Sequence, residues 1–183
     1  MPRISLVPVE SMEPSLKHAA DQLQTRLGVV PHSFRTYAHR PAIALAFAQL
    51  GQAVFAGTVD PKLKTMVAYK VSATNGCPYC IGHTSGMLRS AGFSEKQLES
   101  IRELVPKTWP ERERIALSFA ERATREPARV TDDLVAQLRR FFSEAEVVEI
   151  AAVVGFMNFT NKVHEALAIP LEDIFVRPEP ERR

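Results

Sequence analysis

The chain has 183 residues, 45% of them apolar and 24% charged, a balance that suits one soluble domain with a well-buried core. Its 23 Lys and Arg against 21 Asp and Glu leave a net charge of +2, which provides no electrostatic footprint for nucleic acid or an anionic membrane surface. No apolar run approaches the roughly 18 residues of a membrane span, and the start of the chain, broken by Pro2 and Pro8, lacks the regions of a secretion signal, so the expected location is the cytoplasm.

Leu16, Ala19, Ala20, Leu23 and Leu27 recur at helical spacing and stop at Gly28, which predicts a first helix. The stretch from His32 to Phe55 is helix-compatible, and Pro41 divides it into two helices. Pro61 opens another, traced by Leu63, Met66, Val67, Lys70, Val71 and Thr74 and ended by Asn75 and Gly76. Pro78 then starts a helix that runs to Gly92, placing Cys77 at or near its N-cap. Ser94 with Gln97, and Ser143 with Glu146, match capping boxes. Further helices are predicted over 110–124, 132–142 and 144–167, with 126–131 as a loop. No alternating strand pattern occurs. The expected fold class is all-α in a single domain over 1–183, with an extension at about 1–12 and a flexible, proline-broken tail at about 176–183.

The chain's only two cysteines lie in the segment Asn75, Gly76, Cys77, Pro78, Tyr79, Cys80, Ile81, Gly82, His83. Two thiols in C-x-x-C can close a disulfide on each other, so one can attack a substrate and the other resolve the product. Unpaired amides at a helix start favour thiolate. Residues three apart on a helix are neighbours, which pairs Cys77 with Cys80 and Cys80 with His83. That spacing favours Cys80 as the thiol activated by His83 and Cys77 as the resolving one, whereas the helix dipole alone selects Cys77 as nucleophile. A zinc site built from Cys77, Cys80 and His83 lacks a fourth ligand in the sequence, so no metal is expected. A glutaredoxin-like reading of Cys77, Pro78, Tyr79, Cys80 needs a preceding strand, and the pattern before it is helical.

These residues resemble the carboxymuconolactone decarboxylase-like superfamily, and within it the alkylhydroperoxidase D (AhpD) type. The resemblance extends to Gly28 through Arg35 with Pro41, to Glu113 through Ala120, and to Phe156 through Lys162. It implies an AhpD-like helical bundle with C-x-x-C at a helix N-terminus, assembly into trimers or larger homo-oligomers, and no bound cofactor. It also implies a thiol peroxidase cycle in which Cys80 is peroxidatic, Cys77 resolving and His83 part of a proton relay. The expected partners are a small hydroperoxide and a dithiol reductant or reductase.

Two departures stand out. The acid that AhpD carries 12 residues before its first cysteine is replaced by Thr65. The histidine also follows the second cysteine after two residues, where AhpD has three, so that Thr84 occupies the equivalent slot. Glu149, which precedes Asn161 by the same 12 residues, is a candidate surrogate acid, and Glu113 has a weaker claim. His164, three residues after Asn161, is a candidate to face a pocket, and Tyr79 and Phe93 are candidates for an apolar entrance. Two other functions fit the same residues: a cysteine-independent decarboxylase or lactone-processing enzyme, and a redox-responsive interaction protein.

Overall fold

The computed structural model describes residues 2–105 and 107–175. Among them the chain forms nine α-helices and no strand: α1 (Pro14–Leu27), α2 (His32–Tyr37), α3 (Pro41–Phe55), α4 (Pro61–Asn75), α5 (Pro78–Ser90), α6 (Glu95–Arg102), α7 (Glu111–Arg125), α8 (Asp132–Arg139) and α9 (Glu144–Leu167). Proline supplies the first turn of α1, α3, α4 and α5, where its missing N–H costs nothing. Both capping boxes form, at Ser94 with Gln97 and at Ser143 with Glu146. The predicted eighth helix is shorter than expected, ending at Arg139 and not at Phe142. Ser143 must be extended, at ψ 164°, to cap α9, so the chain leaves the helix in the preceding turn.

α4 is the centre of the packing, lying against α5, α7 and α9. Leu63, Lys64 and every residue from Met66 to Ser72 are buried, so this helix has core on all sides. Its two buried lysines therefore need partners: the Lys64 ammonium lies 2.7 Å from Glu149 Oε2, and that of Lys70 lies 3.1 Å from Glu121 Oε2. A second, smaller apolar cluster joins Met12, Leu16, Ala20, Phe34, Tyr37, Ala38 and Ala44 at the N-terminal end of the chain. The extension before α1 is tied down, with the Arg3 amide donating to Leu167 O and that of Val7 to Arg35 O. After α9, Ala168 adopts the left-handed conformation and the chain turns back so that Ile169 and Glu172 are buried. The expected tail at 176–183 lies outside the described residues.

Glu149 is committed to this framework. Besides pairing with Lys64 it accepts hydrogen bonds from the amides of Thr58 (3.0 Å) and Val59 (3.1 Å), and a Cβ at Gly57 would overlap its carboxylate. Bonding to Lys64 and to these amides, against the cost of burial, holds its carboxyl at a pKa of about 2. The expectation that Glu149 substitutes for the missing relay acid is therefore corrected: it is the counter-ion of a buried lysine. Glu149→Ala strands that ammonium and is expected to lower the unfolding free energy by about 2–3 kcal/mol in a urea titration, the partly exposed carboxylate keeping the loss below that of a fully buried pair. The double variant Lys64→Met with Glu149→Leu is expected to lose less than the single one.

Candidate active site

The turn between α4 and α5 fixes the thiols. Gly76, at φ 70°, ends α4 with its amide donating to Ala73 O, and the Cys77 amide reaches back to Ser72 O. Cys77 is then extended as the N-cap of α5, and Cys80 falls in the helix's first turn. Both cysteines are free thiols and both are buried. They differ in access: Cys80 lines a cavity of about 360 Å³ and Cys77 does not. Its wall draws on α1, α2, α3, α4, α5 and α9. Phe34, Phe47, Phe55, Phe156 and Met157 supply much of its wall.

The imidazole against Cys80 comes from α9. His164 Nδ1 lies 3.3 Å from Cys80 Sγ, and its Nε2 is buried with no partner among the described residues. Burial, reinforced by the neighbouring His83, drops the His164 pKa to about 3, so the ring is neutral and carries one proton. An unpaired acceptor nitrogen is less costly here than an unpaired N–H, which places that proton on Nδ1, donating to the Cys80 sulfur.

The thiol pair shares one charge. The Cys80 S–H donates to Cys77, which outweighs burial, and the first-turn amides of Tyr79 and Cys80 add to it, bringing the Cys77 pKa down to about 7. The side chain of Cys77 makes no capping bond as a thiol, so those amides are free to stabilise its thiolate. Donation to Cys77, burial and the Cys77 charge push the Cys80 thiol well up from its ordinary value. Moving the shared proton from Cys80 to Cys77 transfers the charge to the sulfur that faces the cavity, where His164 receives it.

His83 is also on the cavity wall, but its hydrogen bond goes elsewhere: Nε2 donates to Glu172 Oε2 at 2.5 Å. The expected pairing of His83 with Cys80 is thus corrected, because the chain brings His164 to the sulfur and a carboxylate to His83. Glu172, 3% exposed, also accepts from the Tyr79 hydroxyl (2.8 Å) and the His32 amide (2.5 Å). Burial opposes its charge, yet these donors, led by His83, hold it at a pKa of about 2. Tyr79 reaches Ser33 as well, at 3.2 Å. His32 turns its Nδ1 to Pro170 O, 2.9 Å away.

Other expectations divide. Tyr79 does line the cavity, whereas Phe93 stacks on Trp109 and is absent from its wall. Thr65 is at the wall with its hydroxyl bonded to Pro61 O, so it contributes no acid. Sequence reasoning missed Glu172 altogether. For His164 a signal existed, since Met157, Thr160 and His164 recur on one face of α9 and all three line the cavity. Among the described residues no group of three His, Cys, Asp or Glu side chains is placed to hold a metal ion, and no helix is long and apolar enough to cross a membrane.

An all-helical bundle that presents a C-x-x-C pair at a helix start to an apolar cavity is an AhpD-like fold. Residues 41–122 match the family model of the carboxymuconolactone decarboxylase family, and the chain shares the all-helical fold of AhpD-like proteins. It is similar to protein YnjA of Escherichia coli K12, with 27% identity over 122 residues, 66% of this chain and 67% of that one. The AhpD core of a peroxidase-related protein from Ralstonia eutropha JMP134 superposes with a TM-score of 0.86 over 95% of this chain and 94% of the other, at 23% identity. The debrominase Bmp8 superposes with a TM-score of 0.78 at 27% identity, covering 88% of each chain. A cysteine-to-alanine variant of Bmp8 in complex with 2,3,4-tribromopyrrole does so with a TM-score of 0.79 at 26% identity, again over 88% of each.

The shared charge is open to direct titration. Ultraviolet absorbance of thiolate is expected to show one ionisation per chain with a midpoint of about 7. In Cys80→Ala, which removes the thiol donor, that midpoint is expected to move up toward the ordinary 9.0.

Proposed function

We propose that the protein is a thiol peroxidase that reduces organic hydroperoxides through a dithiol and disulfide cycle between Cys80 and Cys77. The observation that carries this reading is the unequal access of two adjacent thiols: Cys80 is on the wall of an apolar cavity, and Cys77 sits behind it at the helix cap.

In the proposed cycle the shared proton passes from Cys80 to Cys77, and His164 donates to the resulting Cys80 thiolate. The thiolate attacks the terminal oxygen of the hydroperoxide. The O–O bond breaks, a sulfenic acid forms on Cys80, and an alkoxide leaves and takes up one proton to become the alcohol. Cys77 then attacks the Cys80 sulfur. Its proton departs with the hydroxyl as water, and the disulfide forms. A dithiol donor, available in a reducing compartment such as the cytoplasm, returns the pair to thiols. The mainly apolar wall suits a hydroperoxide with a bulky apolar body better than hydrogen peroxide.

The likeness to Bmp8 favours a second reading on the same residues, reductive removal of halogen from an aromatic ring. There Cys80 would take the bromine, the ring carbon would gain a proton, and Cys77 would displace bromide as the disulfide formed. The aromatic lining at Phe34, Phe47, Phe55 and Phe156 fits a flat ring as well as an apolar peroxide.

We also propose a homo-oligomer. α3 buries only Ala44 and Val54 in this chain, while Ile43 (49%) and Leu50 (52%) of α3 and Phe159 (50%) of α9 are exposed, an apolar face that a second copy would cover.

Reduced protein mixed with one equivalent of cumene hydroperoxide is expected to form the Cys77 to Cys80 disulfide, identified by peptide mapping. Cys77→Ser is expected to stop at a trappable sulfenic acid on Cys80, and Cys80→Ser to consume no peroxide. Bromide release from 2,3,4-tribromopyrrole with no reaction toward the peroxide would select the second reading. Turnover that survives in Cys80→Ser would select a cysteine-independent enzyme. Light scattering is expected to give more than one chain per particle, and Leu50→Glu to reduce that number.

A further inference from the structure

The polar side chains on the cavity wall are nearly all engaged with the protein itself. Thr65, Thr84 and Thr160 donate to the carbonyls of Pro61, Cys80 and Phe156, each within its own helix. Ser33 Oγ lies 3.2 Å from the Tyr79 hydroxyl, which itself reaches Glu172. His83 is held by Glu172, and His164 faces Cys80. Arg26 differs from all of these. It lines the same wall from the last turn of α1, is exposed, and has no hydrogen bond or ion pair among the described residues. Among those residues no Asp or Glu joins it on the wall.

Resting on the peroxidase reading, we infer that the cavity takes the hydroperoxide of an apolar carboxylic acid, whose carboxylate binds Arg26 while its peroxide group reaches Cys80. A guanidinium stays charged throughout the working pH range and presents paired N–H donors that match the two oxygens of a carboxylate. With one fixed cation and no acid beside it, the wall balances a single negative charge, which suits a carboxylate better than a phosphate dianion. Because Arg26 is exposed, it stands at the mouth of the cavity, where the head group keeps part of its water and the apolar body alone is buried. Phe34, Phe47, Phe55, Phe156 and Met157 receive that body. Addition of oxygen to an unsaturated acid of this kind supplies the hydroperoxide, and the cycle returns the hydroxy acid.

A second feature places the head group at this end. A polar groove bordered by Ser15, His18 and Gln22 of α1 and by Gln49 and Gln52 of α3 adjoins the cavity and shares Leu23, Arg26 and Ala48 with it. Arg26 is thus on the boundary between an apolar chamber and a polar surface, the arrangement that holds an amphipathic molecule in one orientation. Seating the carboxylate there sends the apolar chain inward, past the aromatic side chains and toward Cys80 on α5. The volume of about 360 Å³ falls in the range of about 300–1,000 Å³ usual for small-molecule sites. The groove also stays open in the proposed homo-oligomer. At 100° per residue, Ala48, Gln49 and Gln52 lie on the side of α3 opposite to Ile43 and Leu50, the residues that a second copy would cover.

The test compares an acid with its methyl ester. Reduced wild type, Arg26→Gln, Arg26→Glu and Arg26→Lys are mixed with micromolar linoleic acid hydroperoxide, with its methyl ester and with cumene hydroperoxide, and Cys80 oxidation is followed in a single turnover. Wild type is expected to prefer the acid. The acid-to-ester rate ratio is expected to fall about 5-fold in Arg26→Gln, further in Arg26→Glu, and little in Arg26→Lys. Because the ratio is taken within each variant, a general loss of reactivity does not move it. Protection of Cys80 from iodoacetamide gives a readout without peroxide: decanoate is expected to protect wild type better than decanol or decyl phosphate, and to lose its advantage over decanol in Arg26→Gln. A ratio or a protection that Arg26→Gln leaves unchanged would overturn the assignment of Arg26, and stronger protection by decyl phosphate would overturn the carboxylate. Wild type that reduces cumene hydroperoxide but reacts no faster with the acid than with the ester would overturn this substrate class alone. Wild type inert to all three peroxides would overturn the peroxidase reading, and the substrate class with it.

Discussion

A carboxylate that is 3% exposed stays ionised only where donors replace the water it has lost, and Glu172 obtains three of them from two separate helices. The His32 amide belongs to the first turn of α2, which has only Pro31 as its N-cap and so lacks a side-chain cap of its own. Tyr79 and His83 belong to α5. Glu172 itself sits beyond α9. One charge therefore joins the smaller N-terminal cluster, the helix that carries the thiols and the end of the chain. Removing the carboxylate would leave a tyrosine hydroxyl, a histidine and a helix amide to find other partners, and the cavity wall would lose its alignment together with its charge.

The thiols pose a related problem with a different solution. Both are buried, and burial disfavours thiolate at each. Their first ionisation stays close to neutrality because the remaining S–H solvates the charge and because the helix start adds amides on the Cys77 side. The charge thus sits on the sulfur that does not line the cavity. A short proton shift exposes it on Cys80, next to a neutral imidazole whose donor is already aimed at that sulfur. Access and charge select different cysteines, and the proposed cycle would use both, with Cys77 holding the charge at rest and attacking second.

Most of the helical framework is legible in the sequence because its punctuation is local. Pro41, Pro61 and Pro78 start helices, Gly28 and Gly76 end them, and the two capping boxes are short-range pairs. The C-x-x-C pair is legible for the same reason. The partners of the histidines are not. Helical spacing pointed His83 at Cys80, but the distance on a helix face is shared with whatever packs against it, and Glu172, 89 residues away, takes the ring. Glu172 lies in a stretch of leucine, acids and isoleucine near the C-terminus that has no periodicity, and nothing local distinguishes it from a solvated surface charge. Glu149 misled for the opposite reason: its position in an apparent repeat was visible, while the buried Lys64 that claims it was not.

Thr65 stands at the cavity wall where the AhpD type carries an acid. A carboxylate at that point on α4 would occupy the wall from within the most buried helix of the fold, where Lys64 and Lys70 already demand counter-ions from α9 and α7. With Thr65 bonded to Pro61 O, α4 contributes packing and no titrating group to the cavity. The carboxylate that pairs with His83 comes from the segment after α9, held by Leu171 and Phe175 over two glycines of α5.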